Sequence, residues 1–153
     1  MLIAWWTKAA ADNPMIRVVI DTNVIISALY FSRGNPWRIV VLAIEGNIQN
    51  ITSEFILGEV RHVLEKKFLW QPREIENAIS KIETFSEKVS PKKHLTVIPY
   101  APDNRILECA LVGEADFIIS GDRHLTDLHE YQGLTIVNPA TFVAIVRHES
   151  LPE

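Results

Sequence analysis

The stretch Arg17-Val18-Val19-Ile20-Asp21-Thr22-Asn23-Val24-Ile25-Ile26-Ser27 decides the fold. Its first half is a β-branched apolar run, the signature of a strand buried on both faces. The run stops at an acid and two small polar residues. Apolar residues then return as Val24, Ile25, Ala28 and Leu29, at helical spacing. A strand hands over to a helix, with a carboxylate at the strand's C-terminal end. In open parallel sheets that end is where ligands bind. The pattern recurs late in the chain, in Ala115-Asp116-Phe117-Ile118-Ile119-Ser120-Gly121-Asp122.

Between these two stretches, strands alternate with helices. Asn23 to Tyr30 reads as the first helix, and Ser32-Arg33-Gly34-Asn35 as a turn. Asn35 as N-cap and Pro36 at the first position begin a second helix, which carries Trp37, Val40, Val41 and Ile44 and stops at Gly46. Ile48 to Thr52 is a short second strand. Thr52 or Ser53 caps a third helix from Glu54 to Leu64. A fourth starts at Gln71-Pro72, carries Ile75, Ala78, Ile79, Ile82 and Phe85 on one stripe, and ends at Ser90-Pro91. His94 to Pro99 is expected to be the third strand. Asp103 opens a fifth helix that Gly113 closes, Ala115 to Ser120 is the fourth strand, and Thr135 to Val137 is a weak last one. Asn138-Pro139 starts a helix from Ala140 to Arg147. The expected fold is therefore α/β: a mainly parallel sheet of about five strands with helices on both faces.

The 153 residues suit one domain with a real core; 48% are apolar and 22% charged. Residues 15–147 form the expected domain, residues 1–14 an N-terminal extension and residues 148–153 a tail. Trp5 and Trp6 in the extension suit an arm packed on the domain or on a second subunit. The net charge of −4 argues against binding through a broad basic face, but not against a nucleic-acid enzyme whose cations are metals. Cys109 has no partner for an intramolecular disulfide, which together with the lack of a signal or spanning segment suggests the cytoplasm. The histidines show no zinc-ligand spacing.

Four acids stand out. Asp21, Asp103 and Asp122 lie at helix starts, where a carboxylate caps free N–H groups. Glu59 shares a stripe with Phe55, Ile56 and Val63 that is expected to face the core, where an unpaired carboxylate is costly. Right-handed crossovers bring strand ends and following helix starts to one rim, so the set should converge. Two carboxylates 5 Å apart repel by about 3 kcal/mol at an effective dielectric near 20. Several such pairs call for a cation, and an all-oxygen set favours Mg²⁺ or Mn²⁺. The fitting chemistry is metal-assisted phosphodiester hydrolysis.

These residues resemble the PIN-domain ribonucleases, in particular the branch related to VapC toxins. The matching pieces are Val19-Ile20-Asp21-Thr22-Asn23-Val24, Ser53 to Val60 around Glu59, Asp103 to Ala110, Ala115 to Leu125, and the closing Val137-Asn138-Pro139-Ala140-Thr141-Phe142. The resemblance implies a three-layer α/β/α fold and Mg²⁺- or Mn²⁺-dependent endonucleolytic cleavage of single-stranded RNA. It also implies a homodimer and a cognate antitoxin protein, as in type II toxin–antitoxin pairs. Asp21, Glu59, Asp103 and Asp122 take the catalytic, metal-binding places. Asn23 and Ser120 become polar groups that orient carboxylates or the substrate phosphate, and Arg123 and His124 reach the RNA backbone. Arg33, Arg38 and Arg105 are further basic residues expected near the rim. Similar sequences often carry another acid two residues before the third one; here that place is Ala101.

Other enzymes that use an acid after the first strand fit less well. A haloacid-dehalogenase-type phosphatase needs an acid at position 23, which is Asn. A receiver domain needs an acidic pair after strand one and a late lysine, and no lysine follows Lys93. Glu59-x-x-His62 has no second copy, as a di-iron bundle requires. The remaining alternative is a PIN-fold module that binds RNA or protein through a weak or silent site.

Overall fold

The structure is a computed structural model and describes residues 15–150. The expected 1–14 extension, with Trp5 and Trp6, and residues 151–153 of the expected tail lie outside them. Strand β1 (Ile16–Ile20) leads into α1 (Thr22–Tyr30), α2 (Asn35–Ile44), β2 (Ile48–Thr52), α3 (Glu54–Lys66), α4 (Pro72–Thr84) and β3 (Ser86–Lys88). The chain continues with α5 (Ala101–Val112), β4 (Phe117–Ile119), the short α6 (Arg123–Thr126), β5 (Glu130–Tyr131), β6 (Leu134–Val137) and α7 (Pro139–Ser150). Among the described residues no helix is long and apolar enough to cross a membrane.

The strands form one sheet in the order β3-β2-β1-β4-β6-β5. Every pairing is parallel except β5 with β6. Val18, Val19 and Ile20 are each 0% exposed. Because successive strand side chains point to opposite faces, both faces of β1 must be covered by helices, as the apolar run requires. From β1 the chain winds outward through β2 to β3, then returns to β4 on the other side of β1. The junction of β1 and β4 is thus a topological switch point, where the loops leaving the two strands part and open a crevice.

Two expected elements are corrected. His94 to Pro99 forms no strand, because α5 side chains take its backbone groups. Asn104 Oδ1 accepts from the N–H groups of Val97 and Ile98, and its amide donates to Ile98 O. Glu108 accepts from Leu95 N, and Arg105 donates to Leu95 O. The third strand is instead Ser86–Lys88, where a continuation of the fourth helix was expected. That helix stops at Thr84: the Ser86 hydroxyl donates to Ile82 O and accepts from Asn50 on β2, turning the chain into the sheet edge.

Smaller differences follow from local chemistry. Gly34, at φ 96°, takes the N-cap place expected of Asn35, a backbone angle costly for other residues. Thr84 excepted, helix ends fall near their signals: Ser53 accepts from Ile56 N, Asn138 from Thr141 N, and Gly113 follows α5. Helix α7 runs on to Ser150, past the expected Arg147.

Candidate metal centre at the switch point

Asp21 leaves β1 at the crevice and caps α1. Its backbone N–H still donates to Ile119 O on β4 at 3.0 Å, so the residue is fixed by the ladder. Oδ1 accepts from Thr22 N at 2.7 Å. Oδ2 accepts from the Ser120 hydroxyl at 2.7 Å and from Asn23 Nδ2 at 3.3 Å. Only 6% of the residue is exposed. Burial pushes its carboxyl above the usual range against the pull of these hydrogen bonds, with the Asp122 charge adding to the rise.

Ser120 and Asn23 tie the two loops together. The Ser120 oxygen also accepts from Asp122 N at 3.0 Å, and Asn23 Oδ1 accepts from Gly121 N at 3.0 Å. Ser120 is fully buried, with its hydroxyl held between the Asp21 carboxylate and Asp122 N. Asp122 in turn caps α6, accepting from His124 N at 2.9 Å, with His124 Nδ1 at 3.1 Å.

Glu59 comes from the middle of α3 and is half-buried. Its Oε1 accepts from the Thr22 hydroxyl at 2.8 Å. Desolvation raises its carboxyl above the ordinary value, and the Asp21 charge contributes. The expected stripe needs correcting. The core face of α3 is Ile56, Leu57, Val60 and Leu64, whereas Phe55, Glu59 and Val63 look into a cavity. Position i−4 and i+4 neighbours do share a face, but this one is the wall of a site.

Asp103, in the first turn of α5, completes the set. It is 5% exposed, and its Oδ2 is buried with no hydrogen-bond partner. Its carboxyl is pushed up to about 6, first by desolvation, then by the charges of Asp122 and Asp21, with Glu59 adding a little and His124 opposing. Asp21, Glu59, Asp103 and Asp122 all line one cavity of about 620 Å³. The four sequence-nominated acids therefore converge, and three of them are pushed toward the neutral form by their mutual repulsion and burial.

The cavity has a second character that the acids did not announce. Its lining also carries Phe55, Phe68, Tyr100 and Ile26, with Lys67 and His62. Phe68 stacks on Tyr30 with ring centroids 4.2 Å apart. Phe55 and His62 had a signal in the sequence, because they stand four before and three after Glu59 on a helix. Phe68 and Tyr100 sit in connections and had none.

The nominated basic residues divide. His124 faces Asp122. Arg123 is exposed and does not line the cavity. Arg105 is committed to Glu108 and Leu95 O, away from the rim, and Arg38 borders a separate groove between α2 and α7 with Trp37, Val143 and Arg147.

With this geometry in view, comparisons with known proteins identify the family. Residues 17–124, from β1 into α6, match the PIN-domain family model. The chain belongs to the PIN-domain family. An uncharacterized protein of Methanocaldococcus jannaschii is 34% identical to this PIN domain over 119 residues, 75% of this chain and 76% of that one. Among solved structures, the fold is similar to a chain of VapBC2 from Rickettsia felis, crystallised with a DNA fragment from its promoter. The TM-score is 0.58 at 13% identity, covering 80% of this chain and 98% of that one. This PIN domain thus has the expected α/β architecture, with the crevice at the place where its acids gather.

Proposed function

We propose that this PIN domain is a metal-dependent endoribonuclease that cuts single-stranded RNA, and that it is the toxin of a toxin–antitoxin pair. The observation that carries the metal is Asp103: a buried carboxylate oxygen, in a cavity lined by three other acids, receives no hydrogen bond from the protein. Buried charges are normally paired or bound to metal. The donor set fits a hard divalent ion, with Asp21, Glu59, Asp103 and Asp122 as ligands to Mg²⁺ or Mn²⁺. When bound, such an ion neutralises phosphate charge and acidifies a water for in-line attack.

The chain's own residues do the positioning. Ser120, Thr22 and Asn23 hold the carboxylates that would otherwise splay apart. The aromatic wall of Phe55, Phe68 and Tyr100 offers rings to unpaired bases, which a duplex keeps stacked inside itself. That wall and Lys67 favour a single strand as the substrate. Asn23, Arg123 and His124 remain the groups nominated to meet the strand. A homodimer and a cognate antitoxin are the assembly that the family resemblance implies, and the structural neighbour is itself from a VapBC complex.

The test is cleavage of a labelled single-stranded RNA and of its duplex by the purified full chain, with Mn²⁺ or with EDTA. The expected result is metal-dependent cutting of the single strand that Asp21→Asn abolishes. Ala101, at the first position of α5, adds no carboxylate, which favours the second reading, a binding module with a weak site. Tight RNA binding in EDTA without cleavage in any metal would establish that reading and refute the nuclease.

A further inference from the structure

A nitrogen donor stands beside the ring of acids. One carboxylate oxygen each from Asp103 and Asp122, and a ring nitrogen of His124, lie within 4.8 Å of one another. Asp103 is itself buried, and its Oδ2 has no hydrogen-bond partner. His124 comes from α6, with 74% of its side chain exposed. Asp122 Oδ1 already accepts the backbone N–H of His124, which is all that capping α6 requires. The ring nitrogen, 3.1 Å from the same oxygen, is surplus to the cap.

Resting on the metal reading above, we propose that His124 is a metal ligand. With Asp103 and Asp122 it forms an oxygen–oxygen–nitrogen site on the α6 side of the cavity, and its imidazole sets the ion preference. Ligand atoms about 2.1 Å from a common ion stand roughly 3 to 4 Å apart, so closing from the observed spread takes only a small rotation of an exposed ring. Mg²⁺ is hard and takes oxygen almost exclusively, whereas transition-metal ions accept imidazole, with affinity rising along the first row from Mn²⁺. One nitrogen among carboxylates therefore tips the site from Mg²⁺ toward Mn²⁺ and its later neighbours. The assignment differs from the role in touching RNA phosphates, because a ligand acts before any substrate is present.

The experiment is pulsed electron paramagnetic resonance on the full chain loaded with Mn²⁺ at pH 8 without RNA. A directly bonded imidazole nitrogen gives a ¹⁴N modulation. The expected result is that the parent and His62→Gln show it and His124→Gln does not. His124→Gln should also bind Mn²⁺ about 10-fold more weakly while its Mg²⁺ affinity stays within about twofold. His124 is exposed, and a melting curve confirms that the variant folds. Bound Mn²⁺ with oxygen ligands alone overturns the inference and leaves the metal-centre reading standing. A nitrogen signal that survives His124→Gln also overturns it. No Mn²⁺ binding at all overturns both. A nitrogen signal lost in His124→Gln, in a protein that cuts no RNA, upholds the inference and sinks the nuclease.

Discussion

Replacing Asp103 by Asn should stabilise this protein when metal is absent. The folded carboxyl holds its proton up to about pH 6, while the ordinary value is 3.8. Between those values the native state binds more protons than the unfolded chain, so stability falls as pH rises through the window and levels off above it. The shift is worth at most about 3 kcal/mol. Water in the open cavity and counter-ions screen part of that, and the new amide finds no better partner for its buried end, which leaves about 1–2 kcal/mol. For a chain of this size, that raises the melting temperature by about 2–8 °C. The assay is thermal unfolding of parent and Asp103→Asn in EDTA at pH 4.5 and pH 8. The variant should melt higher at pH 8. At pH 4.5, where the folded carboxyl is protonated but the unfolded one is still mostly ionised, the gap should shrink to about a third of that. Millimolar Mn²⁺ should then raise the parent more than the variant, because binding to the folded state alone stabilises by mass action. A variant no more stable than the parent at pH 8, or a gap unchanged between the two pH values, would refute the claim that Asp103 is a repelled, desolvated charge.

Two further predictions concern the groups that hold the site. Ser120→Ala removes the buried donor to Asp21 and the partly buried acceptor for Asp122 N, and should cost about 1–3 kcal/mol in denaturant unfolding. Because it removes a hydrogen bond to the charged form of Asp21, it should also shift the acid limb of any pH–rate profile upward; an unmoved limb argues against that role. Gly113→Ala tests the packing of α5 on the sheet. An added Cβ would run into Ile51 Cγ2 and stand 3.1 Å from Cys109 O, and Ile51 is fully buried. Overpacking there should cost about 1–3 kcal/mol by urea titration, and a neutral effect would show that α5 can move away from β2.

The sequence was most readable where one physical requirement dominates. A β-branched run followed by an acid can satisfy its burial only as a central parallel strand, and β1 and β4 are those strands. Asp21 and Asp122 were found for the same reason: each follows the end of a central strand, whereas Glu59, inside α3, showed itself by standing on an otherwise apolar stripe and Asp103 by opening a helix. His94 to Pro99 failed because Leu95, Val97 and Ile98 alternate like a strand, yet the hydrogen-bond partners come from Asn104 and Glu108, which local pattern cannot reveal. The Ser86–Lys88 strand failed in the opposite way. An edge strand tied down by Lys88 to Glu54 and Glu83 needs no apolar residue, so it carries no periodic signal. Phe68 and Tyr100 join the cavity through the path of connections, which no spacing rule encodes.

The site divides its acids by how the protein treats them, and that division explains how such a cluster survives folding. Asp21 and Asp122 are helix caps as well as cavity acids, so hydrogen bonds offset part of the cost of holding them there whether or not an ion is present. Glu59 is held by one hydroxyl and half-open to water. Only Asp103 has a buried oxygen that nothing in the protein answers. Asp21 and Glu59 are raised as well, but Asp103 adds to its burial an oxygen that no hydrogen bond answers, and it can carry a proton near pH 6 and give it up when a cation arrives. A set of four equally starved carboxylates would destabilise the domain by several times as much. The cap bonds to two of them keep the empty fold stable, and the third leaves a defined place for positive charge.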